Sequence, residues 1–265
     1  MANQEWNDID KFTPPNEQFY CAFLDILGYK DKSEKYFAGK YNLHARFERA
    51  LNHATLLHDL TGLFVDTSKI KIKFFSDSII LSTPCNVENQ DGIYGIVQMC
   101  KTLSAHLSFE SLWVRGGISI GSHIECDEKN LRYSFISSIA LQQAYLLESK
   151  QAKTPRILID EKIINQLPEQ LKPYIAKEDQ DHFIHFAPQL INQNGENQDA
   201  VLQEMIEIYT ELNTQVDDGV KAKYQWILDY YYWTLSTSEN INMDMFSQFK
   251  RDVAHRFSLL QTRNS

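Results

Sequence analysis

Residues 70–83, Ile-Lys-Ile-Lys-Phe-Phe-Ser-Asp-Ser-Ile-Ile-Leu-Ser-Thr, constrain this chain more than any other stretch. Ile70, Ile72 and Phe74 alternate with Lys69, Lys71 and Lys73, the period-two pattern of a strand with one apolar and one wet face. Ile79, Ile80 and Leu81 then form a continuous apolar run, as expected of a strand covered on both sides. Between them, Ser76-Asp77-Ser78 reads as a tight turn. The carboxylate of Asp77 therefore stands at a hairpin tip, beside a central strand.

A second carboxylate occupies a matching place upstream. Residues 19–27, Phe-Tyr-Cys-Ala-Phe-Leu-Asp-Ile-Leu, are too apolar for an exposed strand, and Asp25 lies near their end, just before Gly28. A lone Asp in such a run is costly to bury unless it is paired or bound to a cation. A right-handed helical crossover from this strand to residues 69–75 lets the strand at 78–83 lie between the two, antiparallel to both. Asp25 and Asp77 then converge. Two convergent carboxylates suit Mg²⁺ or Mn²⁺, hard ions that prefer oxygen ligands.

The rest of the chain fills in around this pair. Residues 29–38 and 42–61 read as helices, the second with an apolar stripe of Leu43, Phe47, Ala50, Leu51, Ala54 and Leu57. Residues 90–109 form another helix and 112–122 a strand, in which Gly116-Gly117 mark a bulge or a close backbone approach. After a loop or short hairpin at 123–133 come a helix at 137–149, a strand at 156–159, a helical stretch at 160–167 and a strand at 181–187. This β-α-α-β-β-α-β-α-β order is an α+β fold that begins as a ferredoxin-like palm, an antiparallel sheet with helices on one face. The other face calls for a cover, which a second subunit would supply. Residues 1–17 read as a polar N-terminal arm, 18–187 as the α+β domain, and 188–265 as a polar linker and helical C-terminal extension, with helices at 200–217, 218–235 and 243–260.

Composition narrows the function classes. A net charge of −9 over 265 residues argues against a binder of nucleic-acid polymers, which needs a basic footprint. No apolar run approaches the ~18 residues of a membrane span, and the polar N-terminus does not read as a signal peptide. Cys21, Cys85, Cys100 and Cys126 lack any CxxC spacing and read as free thiols in a reducing compartment, so the expected location is the cytoplasm. The eight histidines form no ligand set. His182 and His185, three apart on a strand, point to opposite faces.

Three segments, in order, carry a resemblance: Phe23-Leu24-Asp25-Ile26-Leu27-Gly28-Tyr29, Lys73-Phe-Phe-Ser-Asp77-Ser, and Val114-Arg115-Gly116-Gly117-Ile118-Ser-Ile-Gly121. The chain resembles the class III nucleotidyl cyclases over roughly residues 18–187, and is most similar to the bacterial pyrimidine cyclases of the Pycsar antiphage system. The resemblance implies that Asp25 and Asp77, with the Ile26 carbonyl, hold two Mn²⁺ or Mg²⁺ ions per site. It implies a nucleoside triphosphate substrate, UTP or CTP, a homodimer, and a cyclic product read by a separate effector.

Around that pair the roles are open. The turn Leu27-Gly28-Tyr29 enters a helix, whose free N–H groups suit β- and γ-phosphates; it is equally an ordinary strand-to-helix turn. Lys73 matches a lysine that helps select the base in purine cyclases, or belongs to a solvated row with Lys69 and Lys71. Arg115 lies near the active face, or makes a surface salt bridge, and Arg156 is a weaker candidate for a phosphate. Adenylate and guanylate cyclases carry an Asn and, four residues on, an Arg on the helix matching 137–149; here those positions are Gln142 and Leu146, with Gln142 or Gln143 left to contact ribose. That departure disfavours a purine cyclase and also leaves room for a degenerate cyclase fold that binds nucleotide as a regulatory module. Uracil offers two carbonyl acceptors to a donor such as Lys73, and cytosine one, so the expectation leans to UTP.

Overall fold

The computed structural model describes residues 17–61, 69–85, 90–126, 135–190, 198–238, 243–250 and 252–260. The N-terminal arm, but for Glu17, and the middle of the linker at 188–199 lie outside the described residues.

The chain starts with β1 (Gln18–Ile26), α1 (Tyr29–Phe37) and α2 (Leu43–Thr61). The hairpin β2 (Lys71–Phe75) and β3 (Ser78–Pro84) follows, then α3 (Asp91–Phe109) and β4 (Val114–Cys126). The apolar run of β3 puts it inside the sheet, antiparallel to both β2 and β1, with Ile79 and Leu81 fully buried. β1 pairs β4 on its other side, giving the order β2-β3-β1-β4 of a ferredoxin-like core.

Side chains alternate between the two faces of β1. Tyr20, Ala22, Leu24 and Ile26 are buried on the face that α3 covers, where Gly92 of α3 sits against Tyr20. Phe23 and Asp25 point the other way. That second face is not bare: α4 (Ile139–Leu146), which follows β5 (Phe135–Ser138), lies across β1 and β4, with Tyr145 edge-on to Phe23. Gly117 explains how α4 comes so close. A Cβ there would stand 2.3 Å from the Ala144 carbonyl oxygen and 2.6 Å from Leu147 Cβ.

Beyond α4, a π-helical turn Leu147–Gln151 leads to β6 (Ile157–Ile159), α5 (Glu161–Ile164), β7 (Ile175–Glu178) and β8 (Asp181–Ile184). β6 pairs β4 in parallel, so the sheet is mixed rather than antiparallel throughout. The extension contributes α6 (Gln198–Thr214) and α7 (Asp218–Thr237), but residues 243–260 are not one helix: they give a 3₁₀ turn at Met243–Phe249 and a strand β9 (Phe257–Leu259), which joins the sheet beside β7. Buried apolar residues of the extension and of the N-terminal core belong to one hydrophobic cluster.

Tyr230 fastens α7 to the sheet. Its hydroxyl accepts from the N–H groups of Phe186 (3.0 Å) and Ala187 (3.1 Å) and lies 2.9 Å from His185 Nδ1. With both lone pairs used, its hydrogen goes to Nδ1. His185 is therefore neutral, in keeping with burial that pushes its pKa down to about 3.

Candidate active site

Asp25 and Asp77 are brought together by strand pairing. Asp25 faces Ser78 in the β1–β3 register, and Ile26 N–H donates to the Asp77 carbonyl oxygen at 2.9 Å. The turn is tighter than Ser76-Asp77-Ser78: Phe75 already pairs Ser78, leaving Ser76 and Asp77 as the loop, with Ser76 at a left-handed φ of 56°.

Arg115 meets Asp25 across β1 and β4, where the two are register partners. Its Nε donates to Asp25 Oδ2 at 3.0 Å and lies 2.7 Å from Oε1 of Glu148, which the π-helical turn carries in from the other side. The single Nε–H is directed at Asp25, so the Glu148 contact is an ion pair without that hydrogen bond. Burial, and then the charge of Asp77, raise the pKa of Asp25, against the lowering pull of Arg115. Glu148 is raised likewise by burial and by Asp25 and Asp77. Asp25 and Glu148 thus share one guanidinium with the Asp77 charge close by, and Lys223 and Lys153 contribute through their charge.

That excess of negative charge, in an all-oxygen donor set with the Ile26 carbonyl beside it, fits a hard divalent cation. Among the described residues no group of three or more His, Cys, Asp or Glu side chains is arranged to hold a metal ion, so substrate oxygens and water would have to supply most of the coordination. Such open coordination is ordinary for Mg²⁺ at nucleotide sites.

The remaining candidates separate. Gly28 has a φ of 69°, which disfavours any side chain, and borders a cavity of about 130 Å³. Tyr29 instead lines an apolar cavity of about 300 Å³ between α1 and α2, with Phe47, Phe74 and the turn residue Ser76. Lys73 shares the Asp25 face of the sheet, but its ammonium leans to Glu125, 2.9 Å away at the end of β4 remote from Arg115. Glu125 is nearly buried and also takes Lys71 (3.5 Å), the Ser82 hydroxyl (3.2 Å) and His123 Nε2 (3.4 Å). Arg156 is occupied: its Nη1 binds Glu178 and its Nη2 Asp181, both at 2.8 Å, in the network that holds the extension to the sheet through Trp226 and Arg256. Gln143 and the exposed Leu146 open onto a cavity of about 570 Å³ with Asp160, Lys162 and His182, which shares no lining residue with the small cavity at Gly28.

Glu148, Glu125 and Lys223 were not singled out from sequence. Glu148 ends an apolar helix with nothing local to mark it, and its role depends on a π-helical turn that propensity does not reveal.

No protein-family model matches the chain, and no curated protein matches it. Solved structures similar to it include the catalytic core of a rhodopsin-guanylyl cyclase with converted specificity in complex with ATPalphaS (13% identity, 64% of this chain and 95% of that chain, TM-score 0.45). The adenylyl cyclase CyaB from P. aeruginosa is similar at 15% identity, over 65% of this chain and 96% of that one, with a TM-score of 0.42. The guanylate cyclase domain of RhGC from Catenaria anguillulae in complex with GTP is similar at 12% identity, over 64% and 96%, with a TM-score of 0.43.

Proposed function

We propose that this chain is a metal-dependent pyrimidine nucleotide cyclase, which converts UTP, or CTP, to the 3′,5′-cyclic monophosphate and pyrophosphate. The observation that carries the reading is the Asp25/Asp77 pair at adjoining strand ends, beside a glycine turn that opens a helix. The motif resemblance around Asp25, Asp77 and Arg115 supports the class, and its Pycsar affinity supports a second messenger in antiphage defence.

In this reaction the 3′-oxygen forms a bond to the α-phosphorus, the bond from that phosphorus to pyrophosphate breaks, and the hydroxyl proton passes to solvent. Divalent ions, when bound, stabilise the attacking and leaving oxygens. The chain itself contributes position and charge. Asp25 and Asp77 with the Ile26 carbonyl would hold the ions, Arg115 fixes the Asp25 carboxylate, and the Gly28 turn would face the phosphates. Lys73 and Glu125 offer one donor and one acceptor side by side, the complement of a base edge that carries both a carbonyl and an N–H. The exposed apolar side chains Ile139, Tyr145 and Leu146 on α4, on the Asp25 side of the sheet, favour a homodimer in which a partner completes each site.

One observation favours a second reading. Leu146 stands where an arginine would steady transition-state charge, as in a nucleotide-binding regulatory module without turnover. The two readings part on a measurement of cyclic product and pyrophosphate by the wild type and by Asp25→Asn and Asp77→Asn with Mn²⁺. Wild-type turnover lost by orders of magnitude in both variants, with thermal stability retained, is the cyclase result. Near wild-type cyclisation by Asp77→Asn would refute the carboxylate assignment.

A further inference from the structure

The small cavity at Gly28 joins the start of the chain to its C-terminal extension. Leu27, Gly28, Lys32 and Trp113 line one side; Lys223, Tyr224 and their neighbours on α7 line the other. Trp113 ties the two together. Its carbonyl accepts from Leu27 N–H at 2.9 Å, and its ring packs edge-on against Tyr224 at 5.5 Å. Both lysines are partly buried, and neither has a salt bridge or a side-chain hydrogen bond among the described residues. The Lys32 ammonium hangs over the turn, 3.6 Å from where a Cβ at Gly28 would be. Asp31 makes its salt bridge to Lys35, at 2.7 Å, and Asp31 and Glu211 act on Lys32 through their charge without a salt bridge to it. Lys223 is near enough to act on the charge of Asp25.

Lys32 also borders a second cavity with Glu207 and Glu211, but neither lysine is held in a salt bridge among the described residues, and two partly buried ammonium groups facing one cavity favour an anion there. Burial depresses the pKa of Lys32, and a bound anion would reverse that. The volume of about 130 Å³ falls well short of the roughly 300–1,000 Å³ of whole-ligand pockets, so the cavity suits a small phosphate anion rather than a nucleoside.

We propose that Lys32 and Lys223 form a polyphosphate pocket beside the Asp25/Asp77 pair, so that α7 of the C-terminal extension completes the substrate site. The proposal rests on the cyclase reading for its substrate, with the pocket receiving the β- and γ-phosphates, the part that leaves as pyrophosphate. The extension is then part of the binding machinery as well as packing, and an event that shifts α7 would change affinity for the triphosphate.

The test is binding of inorganic triphosphate to the full chain by calorimetry, with and without Mn²⁺, for wild type, Lys32→Gln, Lys223→Gln and Lys221→Gln. Lys221 is on the same helix and pairs with Asp218, so it reports non-specific charge. Each pocket variant should weaken binding about tenfold, the worth of one charged hydrogen bond, and Lys221→Gln should not. Melting temperatures check that the variants fold, and Lys223→Glu should abolish binding without unfolding. Wild-type affinity in both glutamine variants, or no triphosphate binding by the wild type, overturns the pocket. Cyclisation is followed separately. Lysine-dependent binding with no cyclic product leaves the pocket standing and removes the cyclase reading; cyclisation with an unchanged KM in Lys223→Gln does the reverse.

Discussion

Arg115 and Asp25 are register partners on neighbouring strands, joined at 3.0 Å, and Glu148 approaches the same Arg115 Nε to 2.7 Å. One cation therefore separates a partly buried carboxylate, Asp25, from a buried one, Glu148. Arg115→Met should destabilise the fold by about 1–3 kcal/mol, because both acids lose their counter-charge. Adding Glu148→Gln should recover part of that loss, a coupling that chemical denaturation of the two single variants and the double would reveal. Strict additivity would show that the three side chains do not act as a unit.

Glu204 gives a pH dependence of known sign. Its carboxyl is buried, accepts from the Tyr231 hydroxyl at 2.9 Å, and is pushed up to about 8, chiefly by that burial. The folded state thus binds the proton more tightly than the unfolded chain. This contribution is fully present below the ordinary Glu range, near pH 4.5, and is lost as pH rises through about 8. Relative to wild type, Glu204→Gln should therefore gain stability as pH rises across that window and match it near pH 4.5, as followed by melting temperature. An offset that does not vary with pH would contradict the assignment.

Strand periodicity and apolar runs made the front of the molecule legible. The alternation at 69–75, the run at Ile79–Leu81 and the apolar stretch before Asp25 are enough to place β3 between β2 and β1, and hence to bring Asp25 and Asp77 to one place. The back half was less readable because its signals are short. β7 is four residues, Ile-Ala-Lys-Glu, with no alternation to detect. Phe257–Leu259 is a strand because β7 offers an edge, which no local pattern announces. The lysines at Gly28 are separated by most of the chain, and only the fold sets them together.

The homodimer proposed from the exposed side chains of α4 can be tested directly. Sedimentation should give a two-fold dimer, and Leu146→Glu should shift it towards monomer and lower turnover together. A monomer that is fully active at nanomolar concentration would contradict the shared-site arrangement.

The central claim is the reaction itself. The most direct measurement offers the purified chain UTP, CTP, ATP and GTP at equal concentration with Mn²⁺ or Mg²⁺ and identifies the products by mass. The expected result is pyrophosphate with 3′,5′-cyclic UMP in excess; cyclic CMP in excess keeps the class and changes the base. Cyclic AMP or GMP in excess would contradict the pyrimidine reading drawn from Gln142 and Leu146. No cyclic nucleotide from any of the four, with either ion, would contradict the cyclase itself.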